Sequence, residues 1–251
     1  MQAVARDLAA EQAELSDLLS GRSVGDWGAE TRCEGWAVTD VVLHLAQTNE
    51  LAVASITGEG RGDAGAALSE APTRSSVDQR GAAMVDSERS TQAREVHRRW
   101  QTSARQLDKA VASADPHARV PWVVGVLSVQ TLTATRLAET WIHAGDVADA
   151  VEVPGCPTDR LWHVARLAWR TLPYAFERAG HQLAGLVAMR LRSPTGEPWL
   201  LRPDAEPSTT IRGDALELCL VAARRLDPTA TALDGDGPDA AAVLELIRTY
   251  A

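Results

Sequence analysis

With 251 residues, 45% of them hydrophobic and 24% charged, the chain has the composition of a folded globular protein. It can bury a large core, in one big domain or two of ordinary size. The formal net charge of −9 argues against a nucleic-acid partner, because neutralising phosphates needs a basic face. No apolar run approaches the roughly 18–20 residues of a membrane span. The N-terminus lacks the basic-then-apolar profile of a signal peptide, so a cytoplasmic protein with no membrane partner is the expectation. Cys33, Cys156 and Cys219 show no paired spacing and read as reduced thiols.

Residues 2–20 carry Val4, Leu8, Leu15, Leu18 and Leu19 among charges, which predicts a first helix ended by Gly21. Residues 23–36 read as a loop whose two tryptophans, Trp27 and Trp36, pack back onto the core. Thr39 and Asp40 are helix-start residues, and a second helix is predicted to about Ile56. Residues 57–75 turn to Gly, Ala and Ser and read as a surface loop. Residues 76–114 predict a long third helix with a break near 87–90, its REVHRRW run a solvated face. The Asp115-Pro116 pair stops it, and the apolar PWVVGVL stretch reads as a link to a fourth helix over 128–150. Four such helices fit a bundle.

VEVPGCP, at 151–157, breaks the helical pattern, so the domains are placed at 1–152 and 153–251. In the second, residues 159–179 predict a helix. Residues 183–191 and 198–201 flank the turn Ser193-Pro194-Thr195-Gly196 as a hairpin, and 208–211 reads as a third strand. Residues 213–226 and 238–250 predict helices joined by an acidic turn, LDGDG. The chain is therefore mainly α, a helix bundle followed by a small α+β domain.

The fourth helix carries an unusual stripe. Leu132, Arg136, Glu139, His143 and Asp146 follow at steps of four and three along one line, and all but the first are ionisable. Leu137, Trp141, Ala144 and Ala148 form an apolar stripe beside it. Glu139 and His143 lie one turn apart, so a carboxylate oxygen and an imidazole nitrogen can converge, which is two thirds of a His/Glu metal site. His44, alone in VVLHLA on the second helix, is the candidate third ligand. Arg136 is placed to meet an anionic substrate, or else to pair on the helix surface. Asp40, one turn before His44, and Asp146 after His143 each read as an acceptor for a ligand imidazole or as a helix cap.

Three pieces line up: GWAVTDVVLHLA near residue 40, RLAETWIHAGDVADA near 145, and the α+β tail. Their combination resembles the maleylpyruvate-isomerase-like, mycothiol-dependent family, a branch of the DinB-like four-helix metalloproteins, and in particular its uncharacterised metal-binding subgroup. The resemblance implies a DinB-like bundle with a sterol-carrier-like tail, one divalent metal, usually zinc, on His44, Glu139 and His143, and mycothiol or another small thiol as cosubstrate. Arg224 and Arg225, in the tail, are the candidates to hold the thiol's anionic groups, and Arg136 and Asp40 the candidates to assist the chemistry.

Three protein ligands leave one position open on zinc, as in a catalytic site. The function that follows is a metal-dependent enzyme activating a thiol for S-transfer to, or isomerisation of, a small electrophile. The alternatives are a metal-stabilised ligand-binding protein, its fourth position closed by His97, His117 or Cys33, and a metal-hydroxide hydrolase. The expected partners are small molecules, and the expected assembly is a monomer or homodimer.

Overall fold

The computed structural model describes residues 1–58, 74–123 and 125–249, with side chains not described over 74–78. The predicted surface loop at 57–75 therefore lies almost wholly outside the described residues. The chain divides into two compact units, Met1–Gly155 and Cys156–Ala251.

In the first unit, α1 (Gln2–Leu19), α3 (Val38–Thr57), α5 (Ala93–Ser113) and α6 (Val129–Ala150) pack as a four-helix bundle. Each is made by its apolar period. On α5, Val96, Trp100, Ala104, Leu107 and Val111 are buried at steps of four and three, while the charges between them face outward. Each buried Leu or Val removed from water contributes about 1.5–3 kcal/mol, so these stripes drive the assembly. A core cluster built from Leu15, Val41, Leu45, Val96, Trp100 and Val147 joins all four helices.

The third predicted helix is two: α4 (Arg74–Glu88), which lies against α3, and α5, separated at 89–92. The REVHRRW run is not simply a solvated face. Arg99 reaches across to Glu50 at 2.7 and 2.8 Å and pairs with Glu88, tying α5 to α3 and α4. Gln47 adds a bond from its amide to the Met84 carbonyl at 2.8 Å. The loop at 23–36 contains a short helix, α2 (Val24–Trp27), started by a reciprocal Ser23/Asp26 capping box. The PWVVGVL stretch is no mere link. Its described residues belong to an antiparallel hairpin, β1 (Arg119–Trp122) with β2 (Gly125–Ser128), in which Val120 and Val126 favour extended chain and Gly125 takes φ +119°. Ser128 then caps α6 by accepting the Thr131 N–H.

In the second unit the predicted helix at 159–179 is broken into α7 (Leu161–Arg170) and α8 (Leu172–Arg178). Pro173 explains the break, since it has no N–H to give and its ring clashes with the preceding turn. Four strands follow in the order β4 (Pro198–Leu201), β3 (Val187–Arg192), β5 (Thr209–Asp214), β6 (Asp234–Asp236). The hairpin β3/β4 is antiparallel and β5 runs parallel to β3, with α9 (Ala215–Ala222) between β5 and β6 and α10 (Ala240–Leu246) after the sheet. The acidic LDGDG turn supplies the fourth strand, β6, paired antiparallel with β5. Gly237 makes that approach possible: it has φ +111°, and a Cβ there would lie 2.2 Å from the Ser208 carbonyl oxygen.

Two glycines should therefore answer to alanine with opposite sign. Gly237→Ala should destabilise by about 2 kcal/mol or more, from strain and collision. Gly145, exposed in the middle of α6 with open space around it, should gain about 0.5–1 kcal/mol on becoming Ala. Urea unfolding midpoints of the two variants check both signs.

Candidate metal centre

The ionisable stripe of α6 points inward. Leu132 and Arg136 are 0% exposed, Asp146 is 1%, and Glu139 and His143 are 9% each. Charges taken out of water at several kcal/mol apiece persist only with partners in place, and these have them. Arg136 Nη1 donates to Glu139 Oε2 at 2.5 Å, while its Nε and Nη2 donate to Asn49 Oδ1 on α3 at 3.2 and 3.0 Å. His143 Nδ1 bonds Asp146 Oδ2 at 3.0 Å, one turn along the same helix.

From α3, His44 comes to the same place. Its Nε2 is 3.7 Å from Glu139 Oε2, and its ring meets that of His143 edge-on with centroids 5.3 Å apart. The Trp36 ring lies against it with centroids 5.2 Å apart, and a Cβ added at Gly81 on α4 would stand 3.5 Å from its Cε1. His44 Nδ1 is buried with no hydrogen-bond partner among the described residues. Such a nitrogen is costly unless something outside the protein uses the ring.

The protonation states follow from burial and charge. Burial opposes charge on both histidines and on Glu139. For His44 burial prevails over the Glu139 carboxylate and keeps the imidazole below its ordinary pKa, so it is neutral at pH 7 and its contact with Glu139 is no ion pair. For Glu139, burial is overcome by the Arg136 guanidinium and the His44 contact, and the carboxyl is held well below the usual range. For His143, burial is overcome by Asp146 and Cys33, and the pKa rises to about 9. A neutral imidazole and an ionised carboxylate are the forms a cation requires. Tetrahedral zinc with bonds of about 2.0 Å to N and O spaces those atoms about 3.3 Å apart, and the 3.7 Å between His44 and Glu139 is close to that. His44 and Glu139 therefore suit a divalent metal as a pair, whereas the donor atoms of His44, Glu139 and His143 do not all come within 4.8 Å of one another.

The remaining predicted residues have these partners. Arg136 is enclosed and paired, its guanidinium facing Glu139 and Asn49. Asp40 Oδ2 accepts the Ala37 N–H at 2.9 Å and lies 3.8 Å from Arg89, at the start of α3. Arg224 and Arg225 follow α9 in the second unit, donating to the Glu245 and Ala223 carbonyls. Sequence reasoning had no signal for Asn49, a neutral residue whose value comes only from facing Arg136. Cys33 entered only as a reduced thiol or as one of three groups able to close a fourth metal position. The fold brings Cys33 Sγ to 3.4 Å from Asp146 Oδ2 and 3.9 Å from His143 Nδ1. Among the described residues, this Cys33, His143 and Asp146 trio is the one set of three metal-capable side chains with all donor atoms within 4.8 Å.

Comparison with known proteins gives this geometry a context. Residues 8–148 match the family described as the mycothiol maleylpyruvate isomerase N-terminal domain. The chain is 27% identical, over 98% of its own length and 94% of theirs, to the uncharacterised Mycobacterium tuberculosis proteins MT0041 (strain CDC 1551) and Rv0036c (strain H37Rv). In structure it is similar to the crystal structure of the mycothiol-dependent maleylpyruvate isomerase and to a histidine-to-alanine variant of it. The TM-score is 0.60 and the identity 16%, over 95% of both chains. The likeness establishes the fold, a DinB-like bundle followed by a second domain.

The two histidines set opposite pH slopes on the stability of the metal-free protein. His143, with its folded pKa raised to about 9, contributes stability that is complete below its unfolded pKa of about 6.5 and is lost as pH rises toward 9. His44, with its folded pKa depressed, contributes stability that is complete above about 6.5 and is lost as pH falls below it. Urea midpoints of metal-free protein should therefore peak near neutrality, and Asp146→Asn should flatten the alkaline limb by removing His143's partner. An unchanged alkaline limb in Asp146→Asn would refute the pairing as its cause.

Proposed function

We propose that this chain, which belongs to the mycothiol maleylpyruvate isomerase N-terminal domain family, is a divalent-metal-dependent enzyme acting with a small thiol on a small electrophilic substrate. The observation that carries the reading is the meeting of His44 with Glu139 and His143 inside the bundle, with a buried, unpartnered nitrogen on His44. These three residues would hold the cation, zinc being suited to a two-His, one-carboxylate set. A divalent cation bound there supplies Lewis acidity that favours the ionised form of a thiol.

The chain's other residues keep that set in order. Arg136 and Asn49 hold the Glu139 carboxylate ionised and aimed, which makes Arg136 a positioning residue. Asp146 fixes the His143 ring through Nδ1 and leaves Nε2 for the cation, the usual support for a metal-bound imidazole. Asp40 secures the first turn of α3, four residues before His44. Arg224 and Arg225, which donate to the Glu245 and Ala223 carbonyls of their own unit, are the residues proposed to hold the thiol's anionic groups.

A thiol such as mycothiol, the cosubstrate of the structurally similar isomerase, is the nucleophile in this reading. Its sulfur adds to one carbon of a cis alkene conjugated to a carbonyl, and the alkene becomes a single bond that can rotate. Elimination of the same thiol restores the alkene as the trans isomer, so atoms balance and the thiol is regenerated. Where the substrate carries a leaving group in place of the alkene, the same attack ends in S-transfer.

Purified protein should carry about one divalent ion per chain by elemental analysis. His44→Ala and Glu139→Gln should each retain less than half of that, and His143→Ala the least. With mycothiol and maleylpyruvate as probes, turnover should require both metal and thiol and fall at least about 10- to 100-fold in Glu139→Gln. Equal metal content in wild type and His44→Ala would sink the assignment. Metal-loaded protein that is indifferent to thiols, yet hydrolyses activated esters, would move the function to a hydrolase.

A further inference from the structure

The turn before α3 brings a sulfur to the far side of His143. It is a fixed turn: Thr31 Oγ1 donates to the Trp36 carbonyl at 2.8 Å and accepts the Cys33 N–H at 3.2 Å. The Trp36 N–H closes on the Cys33 carbonyl at 2.9 Å, and Gly35 supplies the left-handed φ of +74° that the turn needs. Cys33 Sγ is thereby held 3.4 Å from Asp146 Oδ2 and 3.9 Å from His143 Nδ1, while those two atoms are 3.0 Å apart.

Those three distances describe the face of a coordination tetrahedron. With zinc bonds of about 2.3 Å to sulfur and about 2.0 Å to nitrogen and oxygen, tetrahedral angles space N from O by about 3.3 Å and S from either by about 3.6 Å. Each observed distance is within about 0.4 Å of its ideal, without moving any backbone. The three side chains come from two elements, a loop and α6, and combine a soft, a borderline and a hard donor, a set that selects zinc or cobalt over magnesium or calcium.

We propose that Cys33, His143 and Asp146 form a second site for a borderline-soft divalent cation, using the ring nitrogen of His143 opposite the one assigned to the His44/Glu139 set. His143 serves one cation at a time, through Nε2 or through Nδ1, so the two sites compete. Loading the second site breaks the S–H bond of Cys33 and removes the proton from His143 Nδ1; both protons pass to solvent as the two bonds to the cation form. The site also makes Cys33 an internal rival to any external thiol. The two readings share His143 and Asp146 and differ in Cys33, which the first site does not use.

Cobalt(II) reads the site directly, since sulfur donation gives a charge-transfer band that nitrogen and oxygen donors do not. The protein to use is full-length His44→Ala/Glu139→Gln, reduced, desalted and free of added thiol, in which the first set is disabled. Cobalt should bind it with a sulfur charge-transfer band, and adding Cys33→Ser should abolish the band, whereas adding Cys156→Ser or Cys219→Ser should leave it. As a second measurement in the otherwise unaltered chain, saturating zinc should slow iodoacetamide alkylation of Cys33 at least about tenfold, with exposed Cys156 as the unaffected reference. Cobalt bound without the band, no cobalt bound by a variant whose circular dichroism is native, or a band that survives Cys33→Ser would each overturn the proposal. A retained band in a protein whose wild-type metal content ignores His44→Ala would sink the first site and leave this one standing.

Discussion

The contact on which the site depends is the guanidinium of Arg136 against the carboxylate of Glu139 inside a helix bundle. Two unit charges about 4 Å apart attract by about 4 kcal/mol at an effective dielectric of about 20. Taking both ions out of water costs several kcal/mol each, so the pair does little for stability on its own account. What it secures is the state of Glu139. A buried carboxyl with no cation beside it would take a proton, and a protonated carboxyl donates a hydrogen bond and holds no metal. Arg136 keeps it an acceptor, with one oxygen engaged and the group's direction set.

That requirement spreads outward through the bundle. A buried guanidinium has five N–H donors, more than one carboxylate oxygen satisfies, and Asn49 on α3 takes two of them through a single oxygen. The same helix carries His44, so the bond that satisfies Arg136 also fixes how α3 faces α6. Farther along the outside of α3, Gln47 and Glu50 tie it to α4 and α5 through Met84, Glu88 and Arg99. Polar contacts thus join α3 to α6 through Asn49 and Arg136 and to α4 and α5 through Gln47 and Glu50, between apolar stripes that close the bundle.

How much of this was legible in the sequence depends on how far apart the cooperating residues lie. The bundle could be read because each helix carries its own period, and the stripe from Leu132 to Asp146 could be read because its members repeat along one helix. Pairing His44 with Glu139 and His143 needs a contact across the bundle that no local period gives, so His44 entered as a candidate third ligand on its residue type and the resemblance to a family joined the three. Strand β6 was missed because LDGDG has the composition of a turn; it becomes a strand through its register with β5 and the close approach at Gly237. The break at Thr171 was legible in Pro173 and was overlooked, because the apolar period continues through it. Asn49 and Cys33 carry no local signal at all. Their meaning lies in what faces them from α6.

His143 shows what the interior is built to accommodate. Burial should strip a charge from an imidazole, yet Asp146 and Cys33 reverse that and raise its pKa to about 9. The same burial, with a weaker carboxylate contact, leaves His44 neutral one ring away. The α6 side of the cleft therefore attracts positive charge strongly enough to overcome desolvation, even with Arg136 nearby. In the protein without metal that charge is a proton on His143, hydrogen-bonded to Asp146. In the proposed metal-bound form a divalent cation would bring more charge to the same neighbours and displace that proton, making proton and metal alternative occupants of one electrostatic well. In the proposed metalloenzyme, the hold of Asp146 and Cys33 on the His143 proton would therefore be part of what sets metal affinity.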